Sequence, residues 1–241
     1  MKNLAKVLAV SVMAVFFASA TVWALPSSVL SNNSLQDILD LAVVDGPSIS
    51  AADDQSGVQA WKEAEANVSA YSVAGLIIDK GEFGLYSLAT GAEYVLMTGQ
   101  LGDATADFNI NTAGDLYFGN FLQDDNFGFN FGFFWKSDNL TSYTQDSKNV
   151  NGNALALSYW VLDGTTVAHR GIGGDTVHAE GNNDWILAFE NGLNDGDFSD
   201  AVIYLEDMKP VPEPATMLLL GSGLMGLGAM RRKKRTAADG K

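Results

Sequence analysis

The chain has 241 residues, with 29 acids against 14 bases and a formal net charge of −15. Eight of the bases sit in the two ends (Lys2, Lys6, Arg231, Arg232, Lys233, Lys234, Arg235 and Lys241), so residues 25–210 hold six bases against 27 acids, a charge of −21. Such a surface repels a phosphate backbone and excludes direct nucleic-acid binding. The absence of cysteine excludes disulfides and thiolate chemistry.

The N-terminus reads as a cleavable secretory signal over residues 1–24. Lys2 and Lys6 form a basic start, and residues 7–18 are apolar apart from Ser11. That run is shorter than the ~20 residues of a spanning helix and matches a signal core. Val22 and Ala24 stand at −3 and −1 of a cleavage after Ala24; Ala18-Ser19-Ala20 is a second candidate.

The mature chain opens with a short helix. Ser34-Leu35-Gln36-Asp37 reads as an N-terminal cap, with Leu35, Ile38, Leu39 and Ala42 on one face and Gly46-Pro47 as the stop. A second short helix is expected over 61–66. Strands follow at 71–78, 84–88, 92–98, 106–110, 116–121, 127–135, 155–162, 165–169, 185–189 and 201–205. Gly-containing turns separate them, and Asp163-Gly164 reads as a hairpin turn between two of them. Many short strands with frequent turns predict a mainly β domain over 25–209, an antiparallel β-sandwich or jelly roll. Phe127, Phe129, Phe131 and Phe133 alternate with Gly and Asn, so period two puts four rings on one strand face. Such a stripe either fills a core or, if exposed, stacks on sugar rings. Trp61, Trp135, Trp160 and Trp185 carry the same two readings.

One loop has metal-binding chemistry. Asn194, Asp195, Asp197 and Asp200, with Glu190 at the end of the preceding strand, offer oxygen ligands at close spacing. A loop of this kind can wrap calcium, which takes six to eight oxygens, and Gly196 permits the bend. The fixed Gly and position-12 Glu of an EF-hand are missing. A solvated acidic turn is the competing reading. Asp53-Asp54 and Asp124-Asp125-Asn126 read as solubilising turns.

No catalytic constellation emerges. His169 and His178 are the only imidazoles, with no third His or Cys for zinc and no Gly-x-Ser-x-Gly elbow in the domain. A carboxylate pair for glycoside cleavage is defined by spatial separation, so 27 acids make any sequence pair uninformative.

The C-terminus is a second hydrophobic unit over 210–235, with a cytoplasmic tail at 236–241. Val211-Pro212-Glu213-Pro214 precedes an uncharged run at 215–230, and Arg231-Arg232-Lys233-Lys234-Arg235 follows. Sixteen helical residues span about 24 Å, short for a ~30 Å bilayer core unless the basic side chains snorkel. The basic cluster stays on the cytoplasmic side. Gly221-Ser222-Gly223-Leu224-Met225-Gly226 fits a dinucleotide-binding pattern, but no strand precedes it and it lies within the apolar run.

These three parts, in this order, resemble the PEP-CTERM sorting signal of exported bacterial proteins, with Pro212, Glu213 and Pro214 matching its defining tripeptide. The resemblance implies recognition by an exosortase, a membrane cysteine protease that removes the tail near this motif, after export by the secretion machinery. It also implies transient anchoring in the inner membrane of a Gram-negative bacterium that makes exopolysaccharide. The domain ahead of the tail resembles a secreted β-domain common in such proteins, through Ser34-Leu35-Gln36-Asp37-Ile38-Leu39-Asp40, Phe83-Gly84-Leu85-Tyr86, Phe131-Gly132-Phe133-Phe134, residues 185–190 and residues 195–202. It departs from that pattern at Asn191 and Ser199. That family has no established enzyme activity. The expectation is a non-enzymatic structural or adhesive protein of the cell surface or extracellular matrix, with calcium as its cofactor. A carbohydrate-binding module and a polysaccharide-active hydrolase are the alternatives.

Overall fold

A computed structural model describes residues 34–63, 71–78, 81–99, 105–137, 140–168, 176–178, 183–190 and 196–212. All but Pro212 belong to one unit, Trp23–Val211; the other unit joins Met1–Val22 to Pro212–Lys241. The signal, the apolar run at 215–230 and the basic cluster lie outside the described residues. Among the described residues no helix is long and apolar enough to cross a membrane.

The described residues build antiparallel sheets and one α-helix. Helix α1 (Ser34–Ala42) buries Leu35, Ile38, Leu39 and Ala42, the face its spacing predicts. It ends before Gly46. The β-branched pair Val43-Val44 instead leaves as β1 (Val43–Asp45), which pairs with β13 (Thr166–Ala168) and through it with β14 (Thr176–His178).

An eight-stranded sheet runs in the order β2 (Gln55–Ser56), β12 (Ala156–Val161), β15 (Asp184–Phe189), β16 (Ala201–Leu205), β4 (Tyr71–Ile78), β7 (Thr105–Ile110), β8 (Leu116–Phe118), β9 (Phe121–Asp124). A six-stranded sheet runs β17 (Met208–Pro210), β3 (Trp61–Glu63), β10 (Asn130–Lys136), β5 (Gly81–Ser87), β6 (Glu93–Gly99), with β11 (Thr141–Tyr143) also paired to β10. β3 and β11 share one edge of β10 in tandem: Phe131 pairs Trp61 near its start and Phe134 pairs Tyr143 further on.

The two large sheets contribute to one aromatic core. Trp61, Phe83, Phe131, Phe133 and Trp135 from the six-stranded sheet meet Phe108, Trp185, Leu187, Phe189 and Ile203 from the eight-stranded one. Phe83 stacks on Phe133 at 5.5 Å, and Phe133 lies 5.5 Å from Trp61. Burying each Phe side chain stabilises the fold by about 1.5–3 kcal/mol. The opposite face of the eight-stranded sheet carries a second cluster, in which α1 packs on Tyr159, Val161, Ile186, Ala188, Val202 and Tyr204. β15 and β16 are thus covered on both faces, which is why they read as unbroken apolar runs with little alternation. The Tyr204 hydroxyl donates to buried Asp184 at 2.9 Å, and burial pushes its ionisation far above the ordinary phenol range.

Four expectations are corrected. Residues 61–63 form β3 and no helix, because Trp61 fills the aromatic core and its strand bridges β10 and β17. The strand expected at 116–121 divides into β8 and β9 at Gly119, whose φ of +57° reverses the chain. Asp163-Gly164 does make a turn, with Thr165 N–H donating to Leu162 O at 3.1 Å, but β12 and β13 do not pair. The turn carries the chain from one sheet into another.

The aromatic stripe is the fourth correction. Phe127, Phe131 and Phe133 are buried, while Phe129 is 49% exposed. Gly128 has φ +85° and donates to Gly114 O at 2.8 Å, so the pleat breaks between Phe127 and Phe129. Phe127 is held inward separately, its carbonyl accepting from the Ser87 hydroxyl.

Candidate metal centre

Glu190 follows β15 directly, and its backbone is fixed on both sides. Its N–H donates to Leu155 O at 3.0 Å, and its carbonyl accepts from the Ser142 hydroxyl at 2.6 Å. Its side chain is buried, an uncommon state for glutamate that requires polar compensation. One part of that compensation comes from the next segment: Phe198 N–H donates to Glu190 Oε2 at 3.4 Å.

That segment is shaped by two left-handed residues, Gly196 at φ +70° and Phe198 at φ +50°. Gly takes this conformation readily, whereas Phe does so at a cost. The Phe198 ring offsets that cost by burying itself in the outer core beside α1. With Phe198 plugged inward, Asp197 and Asp200 stay half-buried on either side of it. Asp197 Oδ1 accepts from Ser199 N–H at 3.1 Å, which closes the turn.

The outcome is a carboxylate cluster drawn from two segments. One carboxylate oxygen from each of Glu190, Asp197 and Asp200 lies within 4.8 Å of the others. The structure therefore brings together three of the five residues singled out as calcium ligands. Asn194 and Asp195, the other two, lie outside the described residues, as does His169; the side chain of His178, on β14, is not described either.

Sequence reasoning missed the residues that position this cluster. Ser142 on β11 and Leu155 just ahead of β12 hold Glu190 from distant segments, and no local signal marks such partners. Phe198 was missed as well, although a signal for it exists: it is the one aromatic in the run 194–200. Carboxylates of the other acidic turns are also held by hydrogen-bond donors. Asp54 Oδ2 accepts from Ser50 N–H at 2.8 Å, and Asp124 accepts from Tyr94 OH at 3.0 Å and from Asn126 N–H at 2.8 Å.

The described part of the chain ends at the edge of the six-stranded sheet. Met208, Lys209 and Pro210 pair with Glu63, Lys62 and Trp61, and Val211 N–H donates to Ala60 O at 2.9 Å. Pro212 is exposed immediately beyond, and Glu213 and Pro214 lie outside the described residues. Neither the curated proteins nor the solved structures contain a match to the chain. Residues 210–233 match the family described as the PEP-CTERM protein-sorting motif, which covers the Val211-Pro212-Glu213-Pro214 run, the apolar segment and the start of the basic cluster. A tail of this kind implies an extracellular protein targeted by an exosortase, and the chain carries that sorting motif at residues 210–233.

Proposed function

We propose that the protein is a structural or adhesive component of the cell surface or exopolysaccharide matrix, with no enzymatic role, whose β-sandwich domain takes up calcium at Glu190, Asp197 and Asp200. The sandwich reading is supported by the two large sheets sharing one core. The observation that carries the calcium reading is the convergence of three carboxylates from two segments within 4.8 Å. Two unit charges at such a separation repel by about 3–4 kcal/mol at an effective dielectric near 20. A divalent cation turns that repulsion into attraction. Three carboxylates supply up to six oxygens, the lower end of what calcium takes, and Asn194 and Asp195 are the further candidates for completing the shell. A domain of charge −21 repels acidic polymers, so cations would also be the bridge to any acidic matrix component.

The test is the melting temperature of the full chain in calcium and in magnesium at equal ionic strength, for the parent and for Asp197→Asn. A site in the folded state raises stability by about 2.7 kcal/mol when calcium is a hundredfold above Kd. Extracellular calcium modules bind with Kd of about 10⁻⁴–10⁻³ M, so that excess corresponds to about 10–100 mM calcium, with a smaller increase at about a millimolar. The expected result is an increase with calcium that magnesium does not reproduce and that Asp197→Asn abolishes. Equal increases with both cations, surviving the substitution, would reduce the effect to screening of the acidic surface.

A further inference from the structure

The burial of Phe127, Phe131 and Phe133 removes the four-ring stripe as a sugar platform, but another aromatic is placed differently. Trp160 is 48% exposed at the end of β12. The pairing of β2 with β12 runs from Ser158 opposite Ser56 to Tyr159 opposite Gln55, next to Trp160. Trp160 and Leu162, two residues apart, line a cleft of about 390 Å³ whose other wall holds Ser48, Asp53, Asp54 and Gln55. Cavities of ~300–1,000 Å³ accept small molecules.

The tryptophan is pre-organised. Its ring stacks on Trp185 with centroids 6.0 Å apart and planes 9° from parallel. Trp185 is itself buried and fixed, its Nε1–H donating to Met208 O at 2.7 Å. A half-exposed indole backed by a second, immobile indole loses little entropy when a flat apolar surface settles on it. The facing wall is equally fixed. Ser50 N–H donates to Asp54 Oδ2 at 2.8 Å and Ser50 Oγ donates to Asp53 Oδ2 at 3.1 Å, so each carboxylate is oriented through one oxygen. The second oxygen of each remains an acceptor for an outside donor.

We infer that this cleft binds neutral hexose units of a polysaccharide. A pyranose offers an apolar C–H face to the indole and a rim of hydroxyl donors to the carboxylates. Hydrogen bonds from hydroxyls to a charged acceptor are the stronger kind. Asp53 and Asp54 accept and do not donate, and they repel carboxylate, sulfate or phosphate on a ligand. The surrounding charge of −21 adds to that repulsion. The sugar therefore carries no acidic group. This site shares no residue with the carboxylate cluster at Glu190, so it stands whether or not calcium binds there.

Calorimetric titration of the full chain tests the inference, using gluco-, galacto- and manno-configured tetraoses and a galacturonate tetraose, each in EDTA and in calcium. At least one neutral tetraose should bind equally well in EDTA and calcium, and the galacturonate should not bind. Trp160→Ala should weaken that binding by about tenfold or more, as loss of a central tryptophan does. The pair Asp53→Asn with Asp54→Asn should weaken it as well. If Trp160→Ala lowers the melting temperature, Trp160→Phe, which keeps an aromatic face, should retain binding while the aspartate pair still loses it. Failure of every neutral tetraose to bind, or undiminished binding by both the Trp160→Ala and the paired aspartate variants, overturns the inference. Binding of galacturonate alone, and only with calcium, also overturns it while supporting the calcium reading.

Discussion

Phe129 and Phe133 lie four residues apart in one alternating run and differ in every physical respect that matters. Phe133 is fully buried against Trp61, Phe83 and Phe131, whereas Phe129 is 49% exposed. Phe133→Ala should therefore cost about 3–5 kcal/mol, from lost transfer energy plus a cavity that a close-packed aromatic cluster cannot collapse into. Phe129→Ala should stay within about 0.5 kcal/mol, as expected for a surface site. Denaturant unfolding of the two variants checks both; equal losses would mean that Phe129 is buried too. The alternation that suggested four equivalent rings was legible, and three of the four are indeed buried. The fourth was not legible because the break depends on the +85° φ of Gly128, and a glycine at an even position of a stripe reads equally as a thin strand face. Gly132 illustrates that second use. It stands opposite Tyr86 in register, and a Cβ there would collide with the Tyr86 ring.

Among the elements, α1 was readable from its apolar spacing, but what joins it to the sheet was not. The Gln36 side chain donates to Ile49 O at 2.9 Å and to Asp40 Oδ1 at 2.8 Å, while its Oε1 accepts from Ala51 N–H at 2.8 Å. Ala51 O in turn accepts from the buried Tyr159 hydroxyl at 2.9 Å on β12. One amide thus fastens the helix to a segment that is itself fastened to the central sheet. Gln36→Ala removes the bonds to two backbone groups and should cost about 1–3 kcal/mol. Hydrogen exchange should show the loss in α1 and around Ala51, with protection of β15 and β16 unchanged, since local opening need not involve the central strands. Uniform loss of protection across β15 and β16 would show that α1 is not a separable clasp. The shortest strands were illegible for a related reason. β2, β3 and β11 have two or three residues each, too few for any period to appear, and they exist because the longer strands β12 and β10 offer them an edge. Asp163-Gly164 marks the same boundary between local and distant information: turn chemistry fixes the reversal of the chain, whereas the partner of the next strand is chosen by packing.

For the whole molecule, the tail was the most legible part, because it is recognised as a linear order of motif, apolar run and basic cluster and needs no tertiary partner. The sheet order of the domain could not be read in that way, since it depends on contacts between strands far apart in sequence. The two meet at Val211. The domain closes with Met208 N–H donating to Asn183 O at 2.7 Å and Val211 N–H donating to Ala60 O at 2.9 Å, one residue before Pro212. Pro212 has no N–H with which to continue the ladder, so β17 stops where the sorting motif begins. A protease that reads Pro212-Glu213-Pro214 would then find the motif next to a finished strand and would not have to unfold the sheet. Replacing these three residues with alanine should leave the chain uncut at its C-terminal tail and membrane-held in cells that carry an exosortase, because the apolar run and basic cluster are intact but the recognised tripeptide is gone. Intact-mass analysis of the recovered protein distinguishes the outcomes. The melting temperature should match that of the parent, since Pro212 is exposed and makes none of the bonds that close β17. Trimming of the variant at the parent's rate would show that the tripeptide is not what the protease reads, and would shift recognition to the apolar run and its basic end.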